Sequence, residues 1–210
     1  MCPFILRYQM VPEYQQVLDF WFGPLTDELT TTNRNALWFT GGEEVDRLIT
    51  TQFHPLVQQA GAGQLSHWAQ TPKGTLALII LLDQFSRNIY RGLSAAFRYD
   101  SLALAICRRG MSQNQDEELT PIERVFFYLP LEHSEALEDQ EESVFRFDRL
   151  RNMVSAKNKP VFDGFYRYAV NHHEVIKLFG RYPHRNAAME RLSTPEELAW
   201  LNQGGQRFGQ

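Results

Sequence analysis

Asp83, Arg87 and Asn88 follow directly on an unbroken apolar run, Leu76 to Leu82, and this junction is the strongest chemical signal in the chain. A helix that is apolar on every side belongs in a core. A carboxylate and a guanidinium carried into that core cost several kcal/mol each unless they find partners. Asp83 and Arg87 are four residues apart and share one helix stripe, with Asn88 on the stripe beside it. Together they suit an anion: Arg87 offers a two-pronged donor, Asn88 adds an amide, and Asp83 orients the guanidinium. A second polar set, Arg181, Tyr182, Pro183, His184, Arg185 and Asn186, lies near the other end of the chain. Pro183 keeps the residue before it out of helical geometry, so these are loop residues, where binding groups tend to collect. The two segments are expected to touch. Arg181, Arg185 and Asn186 then join Asp83, Arg87 and Asn88 as ligand-binding residues.

Groups able to move a proton stand nearby. Glu132 and His133 sit in Leu129-Pro130-Leu131-Glu132-His133-Ser134-Glu135. As neighbours on a helix they project about 100° apart and cannot act directly on each other. With His184 they are the expected catalytic acids and bases. No metal site is expected, because neither a His-x-x-x-His nor a Glu-x-x-His spacing surrounds them. Each feature also has a plainer explanation. Asp83 and Arg87 would equally staple two elements together, and Arg185 and Asn186 would cover helix-end carbonyls. His172, on the apolar stripe Phe165, Tyr168, Ala169, His172, Ile176, is expected to be a hydrogen-bonded core histidine. Serine-nucleophile, phosphate-loop and dinucleotide motifs do not occur.

The elements that must hold these groups are helices. Thr71-Pro72, Thr120-Pro121 and Thr194-Pro195 each place a capping hydroxyl before a proline at the first helical position, and Glu123 and Glu197 complete capping boxes. Helices are predicted at about 12–22, 27–39, 43–60, 72–91, 94–110, 121–132, 134–152, 161–179 and 195–202. No segment alternates with period two, so the fold class is all-α: antiparallel helical hairpins in a bundle of about nine helices. The 210 residues form one domain, with residues 1–11 as an N-terminal extension and 203–210 as a disordered tail. A hydrophobic share of 43% supports a substantial core, and a net charge of −4 gives no reason to expect nucleic acid. Cys2 and Cys107 read as free thiols, and no apolar run reaches spanning length, so a cytoplasmic protein off the membrane is expected.

Five ordered motifs carry a resemblance. Val17-Leu18-Asp19-Phe20-Trp21-Phe22-Gly23, Leu82-Asp83-Gln84-Phe85-Ser86-Arg87-Asn88-Ile89-Tyr90-Arg91-Gly92, Tyr128 to Glu135, Phe179 to Asn186, and Ser193-Thr194-Pro195-Glu196-Glu197 resemble, in order and spacing, the bacterial family catalogued as domain of unknown function nine-two-four. The likeness runs from about Val17 to Leu201. Ser86 stands where that family usually has proline. The resemblance implies an all-helical, tetratricopeptide-like fold and a cytoplasmic bacterial protein. It brings no activity with it.

Two functions follow. In the first, Arg87, Arg181 and Arg185 hold a small anionic molecule while His133, His184 or Glu132 handles a proton. In the second, the chain is a tetratricopeptide-like module that binds a peptide or protein, and the polar cluster is scaffolding. Cofactor and oligomeric state stay open.

Overall fold

The computed structural model describes residues 11–208; Cys2 and all but the last residue of the extension expected over 1–11 lie outside them. Among the described residues the chain is all-α, with nine α-helices. These are α1 (Gln15–Phe22), α2 (Glu43–Gly61), α3 (Pro72–Ile79), α4 (Ser86–Ile89), α5 (Asp100–Ser112), α6 (Pro121–His133), α7 (Leu137–Met153), α8 (Lys159–Phe179) and α9 (Pro195–Asn202).

The caps form as their residue types dictate. Thr71 Oγ1 accepts from Gly74 N at 3.1 Å to start α3. Glu123 accepts from Thr120 N and Glu197 from Thr194 N to start α6 and α9. Leu76 to Leu82 is buried throughout, 2% exposed or less at every position. It packs with α1, α2 and α6 into the main core, where Trp21 meets Phe85 and Phe126 edge-on at 5.4 and 5.6 Å. Cys107 is a free, fully buried thiol in the same core.

Two stretches differ from the sequence reading. The helix expected over 27–39 is replaced by a tight turn, an isolated antiparallel bridge between Leu25 and Thr30, and a π-helical turn at Ala36–Thr40. Thr26 explains the loss: its hydroxyl accepts from Leu29 N and donates to Leu29 O at 2.9 and 2.8 Å, giving the backbone a local alternative to the helical ladder. The helix expected over 72–91 is divided by a π-helical segment, Ile80–Phe85. Ser86 Oγ reaches back five residues to Leu81 O at 3.3 Å, a span that suits the widened turn. π-Helical turns of this kind are frequent at functional sites.

Gly110 lets α5 approach α6. A Cβ there would stand 2.6 Å from Phe127 Cζ and 3.1 Å from Thr75 Cγ2. Gly110→Ala is expected to destabilise by about 1–3 kcal/mol through overpacking, despite alanine's better helix propensity, as read from the midpoint of denaturant unfolding.

Candidate functional site

The π segment delivers Asp83 to the centre of a buried polar cluster. Asp83 is wholly buried. Its Oδ1 lies 2.7 Å from His133 Nδ1 and 3.1 Å from an Arg87 amine, and its Oδ2 accepts from Gln84 Nε2 at 2.5 Å. Burial alone would push this carboxyl up. The charges of Arg87 and His133, with hydrogen bonds from His133 and Gln84, outweigh it and hold the group well below the usual carboxylate range. An ionised carboxylate only accepts, so His133 donates from Nδ1 and carries its lone pair on Nε2. Nε2 has no hydrogen-bond partner among the described residues, and the His133 side chain is 14% exposed. Burial and the positive charge of Arg87 press the imidazole below its ordinary value against the pull of Asp83.

Two arginines flank that pair and converge on Asp100, at the start of α5. Arg87 meets it with two parallel bonds of 3.0 Å, and Arg185 reaches it at 3.6 Å. Arg185 also donates to His133 O at 3.0 Å and lies between the rings of Phe97 and Tyr182, at 4.9 and 4.3 Å from their centroids. Burial and the neighbouring Arg87 lower Arg185 to about 10, so it stays charged at neutral pH. Arg87 Nε, Arg185 Nε and His184 Nδ1 are buried without a hydrogen-bond partner.

Glu132, one residue before His133, turns the other way, as the 100° rule requires. Its carboxyl is buried, and burial with the charge of Asp83 pushes it up to about 8. His172 Nδ1 lies 3.3 Å from Glu132 Oε1, but burial pushes the imidazole well below its ordinary value, so this is a contact between neutral groups and not an ion pair. His172 donates to Tyr168 O at 2.8 Å, the satisfied core histidine its stripe suggests. Tyr182 closes the floor, donating to Glu132 O at 2.5 Å and accepting from Gln140 Nε2 at 2.8 Å. His184 faces the Tyr182 ring at 5.5 Å, and burial and Arg185 bring it down to about 3. In the stretch expected as a disordered tail, Phe208 stacks on His172 at 3.6 Å, while residues 209–210 lie outside the described ones.

Of the nine residues singled out from sequence, Asp83, Arg87, His133 and Arg185 converge, with Glu132 beside them facing His172 and His184 behind them against Tyr182. Three do not join them. Asn88 donates to Asp46 at 2.8 Å, in a separate group with Arg91. Arg181 holds Glu197 with bonds of 2.6 and 2.8 Å, and Asn186 donates to the same carboxylate at 3.0 Å. The reason is one of competition: Asp46 and Glu197 are nearer acids that satisfy these donors first. The expected balance also shifts. Glu132 does not offset the arginines, being held neutral; Asp100, which drew no notice in the sequence, does. Among the described residues no cluster of three or more His, Cys, Asp or Glu side chains has a metal-holding arrangement, and no helix is long and apolar enough to cross a membrane.

The family model described as bacterial protein of unknown function (DUF924) matches residues 17–205. A solved structure of a protein of unknown function from Agrobacterium tumefaciens is 29% identical, with a TM-score of 0.75, over 91% of this chain and 97% of that one. No curated protein matches the chain significantly.

Proposed function

The chain belongs to the bacterial family of unknown function DUF924, and from that premise we propose that the cluster around Asp83 binds a small phosphate or carboxylate compound and moves a proton at His133 Nε2. The observation carrying this reading is the His133 residue: its Nδ1–H is fixed by a buried carboxylate at 2.7 Å, its Nε2 has no partner among the described residues, and Arg87 and Arg185 hold that carboxylate and the His133 carbonyl. This is the arrangement of an oriented general base. Accepting a proton makes an imidazolium, which Asp83 stabilises in place. The buried Nε atoms of Arg87 and Arg185 have no partner and are donors that an incoming anion can meet.

Asp100 acts as the resting partner of both arginines, and an incoming anion takes its place. The exchange strengthens the base. Arg87 and Arg185 depress His133, and because Asp100 already supplies one negative charge, a dianion such as phosphate, which adds a second, raises its proton affinity. Binding and base strength are thus coupled. We infer a cytoplasmic setting, in keeping with the free thiol of Cys107.

Asp100→Ala is expected to raise affinity for inorganic phosphate roughly tenfold in chloride-free buffer, the scale of one hydrogen bond to a charged group. Arg185→Ala should abolish the gain. Phosphate should also move the His133 imidazole titration, followed by NMR, toward higher pH. One observation favours the other reading: two carboxylates, Asp83 and Asp100, already balance two guanidiniums. Calorimetry that finds no phosphate binding to either the wild type or Asp100→Ala assigns the cluster to scaffolding and the chain to a tetratricopeptide-like interaction role.

A further inference from the structure

Along α5, from Leu102 to Gly110, lies a cavity of about 190 Å³, with Arg109 nine residues and about 14 Å along the helix from Asp100. α2, α3 and α5 contribute to it, and its walls include Ala60, Ala69, Leu78 and Ile106. We propose that this cavity is a binding site for a short-chain carboxylate, with the hydrocarbon body among those residues and the carboxylate on Arg109. The inference does not depend on the proton-transfer reading.

Size and lining select the body. An apolar cavity of about 150 Å³ accommodates benzene, so this one suits a chain of about six carbons. The small side chains of Ala60 and Ala69 hold the walls apart. The polar group that reaches the lining from within is already satisfied: Gln115 Oε1 accepts from Thr75 Oγ1 at 2.6 Å, and Gln115 Nε2 donates to Ala69 O at 3.1 Å. A polar body therefore finds no unmet partner inside.

Charge selects the head. Arg109 and Ser66 both line the cavity and are exposed to solvent. Neither side chain has a hydrogen-bond or ion-pair partner among the described residues, so both are available to a ligand at the rim. A guanidinium and a hydroxyl at the rim of an apolar cavity complement a carboxylate on a hydrocarbon chain.

Hexanoate is the probe, titrated by calorimetry and by NMR of the Leu78, Leu102 and Ile106 methyls. Saturable binding near roughly 1 mM is expected, with shifts at these methyls. Arg109→Gln should weaken it about three- to fivefold, the range for an exposed ion pair, and should leave the melting temperature unchanged. Hexanol should bind more weakly than hexanoate, and Ala69→Met, which fills the cavity, should abolish the methyl shifts. The proposal is overturned if hexanoate leaves the methyls unmoved. It is equally overturned if hexanol binds as well as hexanoate, or if Arg109→Gln binds hexanoate undiminished. The last two comparisons leave the apolar walls of the cavity unchanged, so they decide the matter even if Ala69→Met folds poorly.

Discussion

Arg87→Ala is expected to destabilise the protein by about 3–5 kcal/mol, the cost of leaving one member of a buried ion pair behind. The stranded group is Asp83, wholly buried, which would keep only His133 and Gln84 as side-chain partners. The loss should depend on pH in a recognisable way. In the wild type Arg87 pushes His133 toward its neutral form, and Asp83 pulls the other way. Without Arg87 only burial and Arg185 still oppose that pull, so the folded-state proton affinity of His133 rises relative to the wild type. A raised histidine contributes stability at low pH that is lost as pH rises. The variant should therefore be closer to wild type at pH 6 than at pH 8. Urea unfolding at both pH values provides the check. Equal deficits at the two would mean that His133 does not take over the charge of Arg87.

Glu132→Gln should make the protein more stable in mild alkali, by roughly 3–5 kcal/mol above pH 8. Burial and the charge of Asp83 raise Glu132 from the ordinary 4.5 to about 8. A carboxyl raised on folding adds stability that is complete below its unfolded value and lost as pH climbs through the folded one. Below about 6.5 the buried histidines act in the opposite direction, because His133, His172 and His184 are all lowered on folding and resist acid. Between pH 6.5 and 8 the slope from Glu132 stands alone. Wild-type stability should fall there by about 2 kcal/mol, at ~1.4 kcal/mol per pH unit, while Glu132→Gln stays level. Thermal or urea unfolding across that window is the measurement. Parallel curves would show that Glu132 ionises freely, with a buried charge tolerated beside Asp83.

The polar cluster was legible from sequence because it breaks an energetic rule. Asp83 directly after Leu82 has no cheap explanation, so a partner had to be supplied from elsewhere, and Arg185 and His133 are close by. The plainer account of Arg185 as a cover for helix-end carbonyls holds as well, since it donates to His133 O at the end of α6. Asp100 was illegible for the opposite reason: an acid in a first helical turn is already accounted for by the helix dipole. Glu197 hid in the same way. Its role in a capping box left no apparent need for Arg181 and Asn186, yet one buried carboxylate serves all three. The all-α class followed from caps and from the absence of alternation. The lost helix over 27–39 turned on the hydroxyl of Thr26, whose choice between turn and helix is settled by its own backbone two and three residues on.

The π-helical segment at Ile80–Phe85 changes how this chain can vary in length. Each turn of such a segment holds more residues than an α-turn, so Ser86, Arg87 and everything downstream in that helix emerge at about the angle that a regular helix one residue shorter would give them. Side chains within the segment face a packed core that accepts other apolar residues of similar volume. Deleting one residue is a different kind of change. The segment would tighten into regular helix, and the residue lost, worth about 100° of rotation, would offset the tighter turn, so Ser86 and Arg87 would keep about their direction while the residues within the segment change register. The stretch thus takes up one extra residue without turning the helix on either side, and its apolar positions are freer to drift than Asp83 and Gln84, which the cluster uses.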